Sequence, residues 1–239
     1  RSARMANANG LTVTNSYATL EYNKSGNTFY IRSANDWITL SRKIYSGECD
    51  HADVVLTNDI EVSGGDSDYV LGTDDHPFKG TFDGNGHTLR LNLDYGSTTY
   101  IAPFRVVSDC TIKNVHVAGS VKGTYGNSGV IGYTVESGNV NIENVRVSAD
   151  ITASRRFAAG FIGYAYTQPT INISDCIFDG TITTTGNAWC AAIIGWADDA
   201  GNTWSLHRVY ENGTYQTGTQ GSGFCANTGG WWGTNSLRS

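Results

Sequence analysis

The chain has 239 residues, of which 39% are hydrophobic and 16% are charged, and its formal net charge is −6. This length and hydrophobic content are sufficient for a buried core. The acidic balance, with only 16 Lys and Arg residues together, argues against a nucleic acid or an anionic membrane surface as a partner. No apolar run approaches the roughly 20 residues that cross a bilayer, and the first residues do not form a signal peptide. We therefore expect a mature or excised piece of a larger protein, without a membrane-spanning segment.

The N-terminal region combines short strands with the best helix candidate of the chain. Strand-like stretches at 11–14 and 28–31 are separated by turns rich in Asn, Gly and Ser. Ser33 then fits an N-cap, with Asp36 at the third helical position and Gly47 as the stop. The apolar residues between them are Trp37, Ile38, Leu40, Ile44 and Tyr45. Because an open sheet edge exposes unpaired backbone groups, we predict that this helix is an N-terminal cap on the sheet that follows.

An irregular acidic stretch separates two strand-like segments, 54–62 and 78–89. Its acidic residues are Asp66, Asp68, Asp74 and Asp75. Calcium prefers several oxygen ligands, but the spacing of these carboxylates does not match an EF-hand, so a solvated acidic loop is the favoured interpretation. Residues 49–51, Cys-Asp-His, are metal-ligand types without a matching second half. We predict no metal site and no cofactor.

A short segment recurs about every 31 residues in the second half of the chain. Its copies are Ser-Gly-Val-Ile-Gly-Tyr at 128–133, Ala-Gly-Phe-Ile-Gly-Tyr at 159–164, Ala-Ala-Ile-Ile-Gly-Trp at 191–196 and a weaker copy at 222–226. The equivalent small residues, at 129, 160, 192 and 223, are 31, 32 and 31 positions apart. A regular period of this length is typical of a stacked array.

Two further blocks repeat in phase with the first. One occupies 110–117, 140–147, 171–178 and 204–210, and the other begins at Val121, Ile151 and Ile182. Within 140–147 apolar residues alternate with polar ones, which is typical of a half-buried strand. The alternation shifts at Asn144, and Asn tolerates the left-handed backbone of a corner. Asn114 and Asp175 take this place in the neighbouring copies, whereas Arg208 breaks the series.

These repeats predict an all-β fold, a parallel β-helix or solenoid with three strands in each coil. No copy has room for a ten-residue amphipathic helix, and the composition favours strands and tight corners. A β-sandwich or propeller would place hairpin turns at the repeat period. The candidate turns, 83–86 and 179–180, do not recur at that period. Equivalent residues such as Val140 and Ile171 should therefore stack at the strand spacing of roughly 4.8 Å.

The chain resembles the GLUG-motif proteins, which are right-handed parallel β-helices of bacterial extracellular proteins. The resemblance lies in Leu-Thr-Asn-Asp-Ile at 56–60, in Phe-Lys-Gly-Thr-Phe-Asp-Gly-Asn-Gly-His-Thr-Leu at 78–89 and in the glycine repeats. It covers roughly residues 30–226, and the motif glycine is missing at 102–103 and at Ala226. The family includes large surface proteins and noncatalytic parts of metallo-type immunoglobulin A proteases. It implies a right-handed coil and an extracellular or cell-surface location, and it supplies no catalytic residues.

From the repeats and the resemblance we divide one continuous body into three segments. Residues 1–53 form the N-terminal strands and capping helix, residues 54–226 form the coils, and residues 227–239 form a C-terminal cap and tail. The five cysteines show no metal-type pairing. By alignment with aliphatic residues, Cys110, Cys176 and Cys225 are predicted to pack inward as small hydrophobes. Cys49 and Cys190 are expected in loops and are the one plausible disulfide pair, whose formation stays open.

Catalysis receives little support from the sequence. A glycan-cleaving β-helix enzyme would need two carboxylates on adjacent coils. The outward column consists of Lys113, Glu143, Ser174 and His207, which includes one acid. Asp198 and Asp199 are expected in a loop, and Asp175 at a corner. The leading hypothesis is a noncatalytic extracellular module, an adhesin or ligand-binding spacer in a larger surface protein; the alternative is a polysaccharide lyase or glycoside hydrolase on the same scaffold.

An aromatic residue ends three copies of the glycine repeat. Tyr133, Tyr164 and Trp196 should form a ladder along one edge of the solenoid, preceded in the first coil by Phe104. An outward ladder would offer flat faces to a glycan or a protein ligand. An inward ladder would be core stacking, and the period alone does not decide between them. Core or self-packing is the favoured interpretation, and the three residues are the candidate ligand-binding site.

Overall fold

The structure is a computed structural model that describes residues 3–6, 11–15, 20–49, 51–64, 69–185, 189–197 and 203–216. The strands before the helix are β1 (Ala3–Ala6), β2 (Leu11–Asn15), β3 (Glu21–Asn23) and β4 (Thr28–Ile31). The helix α1 (Ala34–Tyr45) is followed by β5 (Asp53–Leu56), β6 (Ile60–Gly64), β7 (Phe78–Asp83), β8 (Thr88–Asp94) and β9 (Phe104–Gly123). The repeat region begins with β10 (Asn127–Ser128), β11 (Ile131–Thr134), β12 (Asn139–Val147), β13 (Asp150–Ala153), β14 (Phe157–Ala159) and β15 (Ile162–Ala165). It continues with β16 (Thr170–Phe178), β17 (Thr181–Thr184), β18 (Trp189–Ala191), β19 (Ile194–Ala197), β20 (Thr203–Glu211) and β21 (Thr214–Gln216).

The strands form a parallel β-solenoid of about five turns, as the sequence predicts. The first column of paired strands runs through β4, β5, β7, β9, β12, β16 and β20. The second contains β6, β8, the later part of β9, β13, β17 and β21. The third contains the start of β9, then β11, β15 and β19. A small corner sheet is made of β10, β14 and β18.

The core consists of equivalent side chains stacked from coil to coil. Val140 on β12 pairs in register with Ile171 on β16, as predicted. Two apolar residues are therefore stacked at this position. Along the same column Ile112, Ile142 and Ile173 are each at most 1% exposed. Because every coil buries its apolar residues against the next one, no coil has a core of its own.

The predicted corner residues adopt the left-handed backbone. The φ angles are 56° at Asn114, 52° at Asn144 and 55° at Asp175. Arg208, which interrupts the sequence pattern, keeps the same conformation with a φ of 52°. Its Nη2 donates to Asp175 Oδ2 at 3.0 Å, and its Nε contacts the other carboxylate oxygen. The corner geometry is therefore maintained even where the residue type departs from Asn or Asp.

Helix α1 forms where the sequence predicts it and packs on the solenoid. The Asp36 N–H donates to the N-cap Ser33 Oγ at 3.3 Å, and Gly47, at φ 78°, follows the end of the helix. The Trp37 ring is fully buried, with its centroid 6.2 Å from that of Phe82 and 6.0 Å from that of Phe104. These contacts place the helix over the first coils.

The N-terminal strands extend the first column in antiparallel fashion. Strands β1, β2, β3 and β4 form a meander, and β4 then pairs in parallel with β5. Parallel pairing therefore begins at Thr28, inside the predicted N-terminal segment 1–53. The predicted fourth repeat at 222–226 and the C-terminal cap at 227–239 lie outside the described residues.

The cysteines follow the packing prediction with one correction. Cys110 and Cys176 are 3% and 1% exposed, as their alignment with aliphatic residues predicts. Cys190 lies in strand β18 and is fully buried, so its expected place in a loop is wrong. It is buried because β18 pairs with β14 in the corner sheet. No disulfide joins Cys49 to Cys190, and Cys225 lies outside the described residues.

Candidate functional site

The aromatic ladder exists, but its first member differs from the prediction. Tyr133, Tyr164 and Trp196 pair in register on β11, β15 and β19. In the preceding coil the partner of Tyr133 is Val106, whereas Phe104 pairs with Ile131. The placement of Phe104 in the ladder is therefore wrong. Its ring is fully buried because it fills the core beneath helix α1, against Trp37 and Phe82.

The ladder faces a groove and is not part of the buried core. All three rings are partly exposed, while their neighbours Thr134, Ala165 and Ala197 are buried. The groove has a volume of about 590 Å³. Its lining residues are Asp74, Tyr100, Tyr133, Arg156, Phe157, Tyr164, Tyr166 and Trp196. The outward alternative for the ladder is thus the one that the structure supports, although its rings also pack against aromatic neighbours.

Aromatic residues from a connecting loop and from the corner strand β14 form the second side of the groove. The Tyr100 ring centroid lies 5.1 Å from that of Tyr133 and 6.0 Å from that of Tyr164. The Phe157 ring is stacked on Trp196, with centroids 6.0 Å apart and an interplanar angle of 21°. Six of the eight described lining residues are therefore aromatic, and they contact one another across the coils.

The repeat glycines allow the loops to lie against the ladder strands. A Cβ at Gly132 would collide with the carbonyl oxygen of Tyr100, and one at Gly163 with that of Gly126. A Cβ at Gly195 would lie 2.6 Å from Cδ2 of Phe157. Real Cβ atoms essentially never approach other atoms this closely. The glycine of each Ile-Gly-aromatic triplet is therefore required for the groove as well as for the coil.

Two groove residues have a strained backbone. Tyr100 has a φ of 55° and Arg156 a φ of 53°, a region that costs free energy for residues other than glycine. Hydrogen bonds between stacked loops hold the segments: the Tyr100 N–H donates to the Tyr125 carbonyl at 2.7 Å, and the Arg155 N–H to the Thr124 carbonyl at 2.9 Å.

The polar groups among the described lining residues are Asp74, Arg156 and the tyrosine hydroxyls. The Tyr133 hydroxyl donates to Asp74 Oδ1, and burial together with this hydrogen bond raises the pKa of Tyr133 above its usual value. Burial also raises the pKa of Tyr100 to about 12. Both phenols are therefore protonated near neutral pH. The Arg156 guanidinium carbon lies 4.7 Å from the centroid of the Tyr125 ring, in cation–π contact.

The other polar candidates lie away from the groove. Lys113, Glu143, Ser174 and His207 stack in register as the predicted mixed column, and none of them lines the groove. Asp74 is exposed in an irregular segment, as the interpretation of a solvated acidic loop predicts, and it also lines the groove. It reaches the groove because the loop after Leu71 runs beside the third column. Asp66, Asp68, Asp198 and Asp199 lie outside the described residues.

Neither a metal cluster nor a membrane-spanning helix is found in the part of the chain that the structure describes. There, no three His, Cys, Asp or Glu side chains come together as metal ligands. Helix α1 is too short and too polar to cross a bilayer, and the described ranges contain no helix that is longer than α1.

The sequence contains a signal for the second aromatic side that the prediction missed. Tyr125, Phe157 and Trp189 are 32 and 32 positions apart, in phase with the ladder. The Tyr125 and Phe157 centroids are 6.0 Å apart, and Phe157 pairs with Trp189 through the backbone. Tyr100 and Arg156 have no such periodic signal, because each depends on the local path of one loop.

Comparisons with known proteins return no relative. No protein-family model matches the chain, and neither a curated protein nor a solved structure matches it. The resemblance to GLUG-motif proteins therefore stays a prediction from the sequence.

Proposed function

We propose that the chain is a noncatalytic extracellular β-helix module of a bacterial surface protein, adhesin-like or a ligand-binding spacer, whose aromatic groove binds a glycan. The observation that carries the proposal is the groove of about 590 Å³ with six aromatic lining residues. Its size falls in the range of small-molecule sites, roughly 300–1,000 Å³. Pyranose rings have apolar C–H faces that stack on aromatic rings, and rigid rings give contact area at low entropic cost. The surface location is supported by the sequence resemblance alone.

The charges of the groove favour binding over hydrolysis. A glycoside hydrolase uses two carboxyl groups about 5–9.5 Å apart, on either side of the scissile bond. Among the described lining residues Asp74 is the one carboxylate, and it already accepts a hydrogen bond from Tyr133. Its role in the proposal is to accept hydrogen bonds from sugar hydroxyl groups through its remaining lone pairs.

A glycan array probed with the wild-type chain and Tyr164→Ala tests this proposal. We expect the wild type to bind a subset of the glycans and Tyr164→Ala to bind them at least about tenfold more weakly, since a central aromatic contact is an energetic hot spot. Tyr210→Ala is the matched control, because Tyr210 is 60% exposed on β20 and does not line the groove.

Three results would contradict the proposal. The first is that no glycan on the array binds, and the second is that Tyr164→Ala and Tyr210→Ala bind alike. The third is the release of shorter products from a bound glycan, detected by mass spectrometry, which would assign the groove to a polysaccharide-processing enzyme.

A further inference from the structure

Arg156 gives the groove a cationic recognition group. It lies in the turn that precedes β14, is exposed, and lines the groove beside Phe157. Its guanidinium carbon lies 4.7 Å from the centroid of the Tyr125 ring, and this cation–π contact holds the head group beside that ring. A contact with a ring face leaves N–H groups of the guanidinium available for hydrogen bonds.

No acid in the described part of the chain forms an ion pair with this group. Arg32, Arg146 and Arg208 each form an ion pair with an acid of the described ranges. Arg156 has no such ion pair there, and Asp74, the one acid among the described lining residues, accepts a hydrogen bond from Tyr133. In a chain of net charge −6, an arginine without an acidic neighbour at the edge of a groove is available to an anion that comes from outside.

We propose that Arg156 binds a carboxylate of the ligand, so that the groove selects acidic saccharides, those built with uronic acids, over neutral ones. This inference rests on the proposed glycan-binding function. A guanidinium presents two parallel N–H donors that match the two oxygens of a carboxylate, and such charge-assisted pairs are roughly twice as strong as neutral hydrogen bonds.

The positions of Asp74 and Arg156 favour one orientation of a bound acidic saccharide. Asp74 follows Leu71, which pairs with Phe104, whereas Arg156 precedes the coil of Ile162. Negative and positive groups of the groove thus belong to different coils along the axis. A bound acidic saccharide has its carboxylate at Arg156 and its hydroxyl groups toward Asp74, because the reverse orientation brings two carboxylates together.

The experiment compares uronic-acid oligomers with their methyl esters on one array. Esterification removes the carboxylate charge and keeps the sugar rings. We expect the wild type to bind the free acid at least about tenfold more tightly than the ester, in line with a charged hydrogen bond. Arg156→Gln should lose this preference and retain binding to the ester. Arg156→Lys, which keeps the charge and lacks the paired donors, should retain part of the preference.

Arg155→Gln is the matched control. Arg155 is the adjacent exposed arginine, carries the same charge, and does not line the groove. We expect it to keep the preference for the free acid, and circular dichroism melting should show that each variant is folded.

The outcomes separate this inference from the proposed function. Equal binding of acid and ester by the wild type, or equal losses in Arg155→Gln and Arg156→Gln, would overturn the inference while the groove still binds glycans. Binding of neutral glycans alone would do the same. A failure of every glycan to bind would overturn both proposals.

Discussion

At the scale of single residues, the corner of each coil requires a left-handed backbone and a stacked polar side chain. Asn144 combines a left-handed backbone with an amide ladder, because its Nδ2 donates to Asn114 Oδ1 at 3.0 Å. Asn114 in turn donates to Asp83 Oδ1 at 3.1 Å. Asn tolerates this conformation better than most residues, so one residue type satisfies both the backbone and the stacking.

We predict that Asn144→Ala is about 1 kcal/mol less stable than Asn144→Gly, since both lose the amide and only alanine meets the left-handed strain. The free energy of unfolding from denaturant titration measures the difference. Asn141→Ala is the control, because Asn141 belongs to a second amide ladder on an ordinary strand. If alanine and glycine at 144 are equally stable, the left-handed corner does not limit stability.

The glycines of the ladder strands are required because the neighbouring loops leave no space for a Cβ atom. We predict that Gly163→Ala lowers the free energy of unfolding by at least about 2 kcal/mol, because its Cβ would enter the space of the Gly126 carbonyl, and overpacking of this kind costs 1–3 kcal/mol or more. Gly26→Ala is the control, since its Cβ would meet Thr28 Oγ1 at 3.3 Å in an exposed turn. Similar stabilities for the two variants would contradict the close approach of loop and strand.

The sequence predicts the corner positions only where the same residue types recur at the repeat period. Asn114, Asn144 and Asp175 form a series of small polar residues, so the corner could be found from the sequence. Arg208 could not be placed there, because its conformation is accompanied by an ion pair with Asp175 that only the stacked coils bring together.

At the scale of elements, helix α1 closes the core with a few side chains. The Trp37 Nε1–H donates to the Tyr69 carbonyl at 3.0 Å, and the Ser41 hydroxyl donates to the Val70 carbonyl at 2.7 Å. The helix thus satisfies carbonyl groups of the loop beside the first coils while Trp37 covers Phe82 and Phe104.

We predict that Trp37→Ala costs about 3–5 kcal/mol of unfolding free energy, the usual loss for a buried large aromatic residue. Trp37→Phe should cost less, since it keeps an aromatic ring in the core. Its remaining cost comes from the smaller ring and the lost hydrogen bond to the Tyr69 carbonyl. The control Asn35→Ala, at an exposed position of the same helix, should stay within about 0.5 kcal/mol of the wild type. Equal effects of Trp37→Ala and Asn35→Ala in denaturant titrations would mean that the helix does not cap the core.

The helix could be predicted because its signals are local: the Ser33 cap, the apolar face and Gly47. The antiparallel meander of β1 to β4 could not, because strand direction depends on partners that are distant in sequence. Strand β4 shows the difficulty, since it pairs antiparallel with β3 on one edge and parallel with β5 on the other.

At the scale of the whole molecule, the groove is a property of the stack. Its ladder side comes from β11, β15 and β19, and its other side comes from loops and the corner strand β14 of neighbouring coils. The repeat period predicts which ladder residues are adjacent. The loops that bring Tyr100 and Arg156 opposite them vary between coils, so the orientation of the ladder and the composition of the groove required the structure.

The affinity of Trp196→Ala for a glycan selected on the array tests the central claim, that the ladder is a binding surface. Trp196 is partly exposed and stacked on Phe157 at one side of the groove. By isothermal titration we expect an affinity at least about tenfold lower than that of the wild type, with Tyr210→Ala unchanged and both variants folded. A Trp196→Ala chain that binds the glycan as tightly as the wild type would contradict the claim.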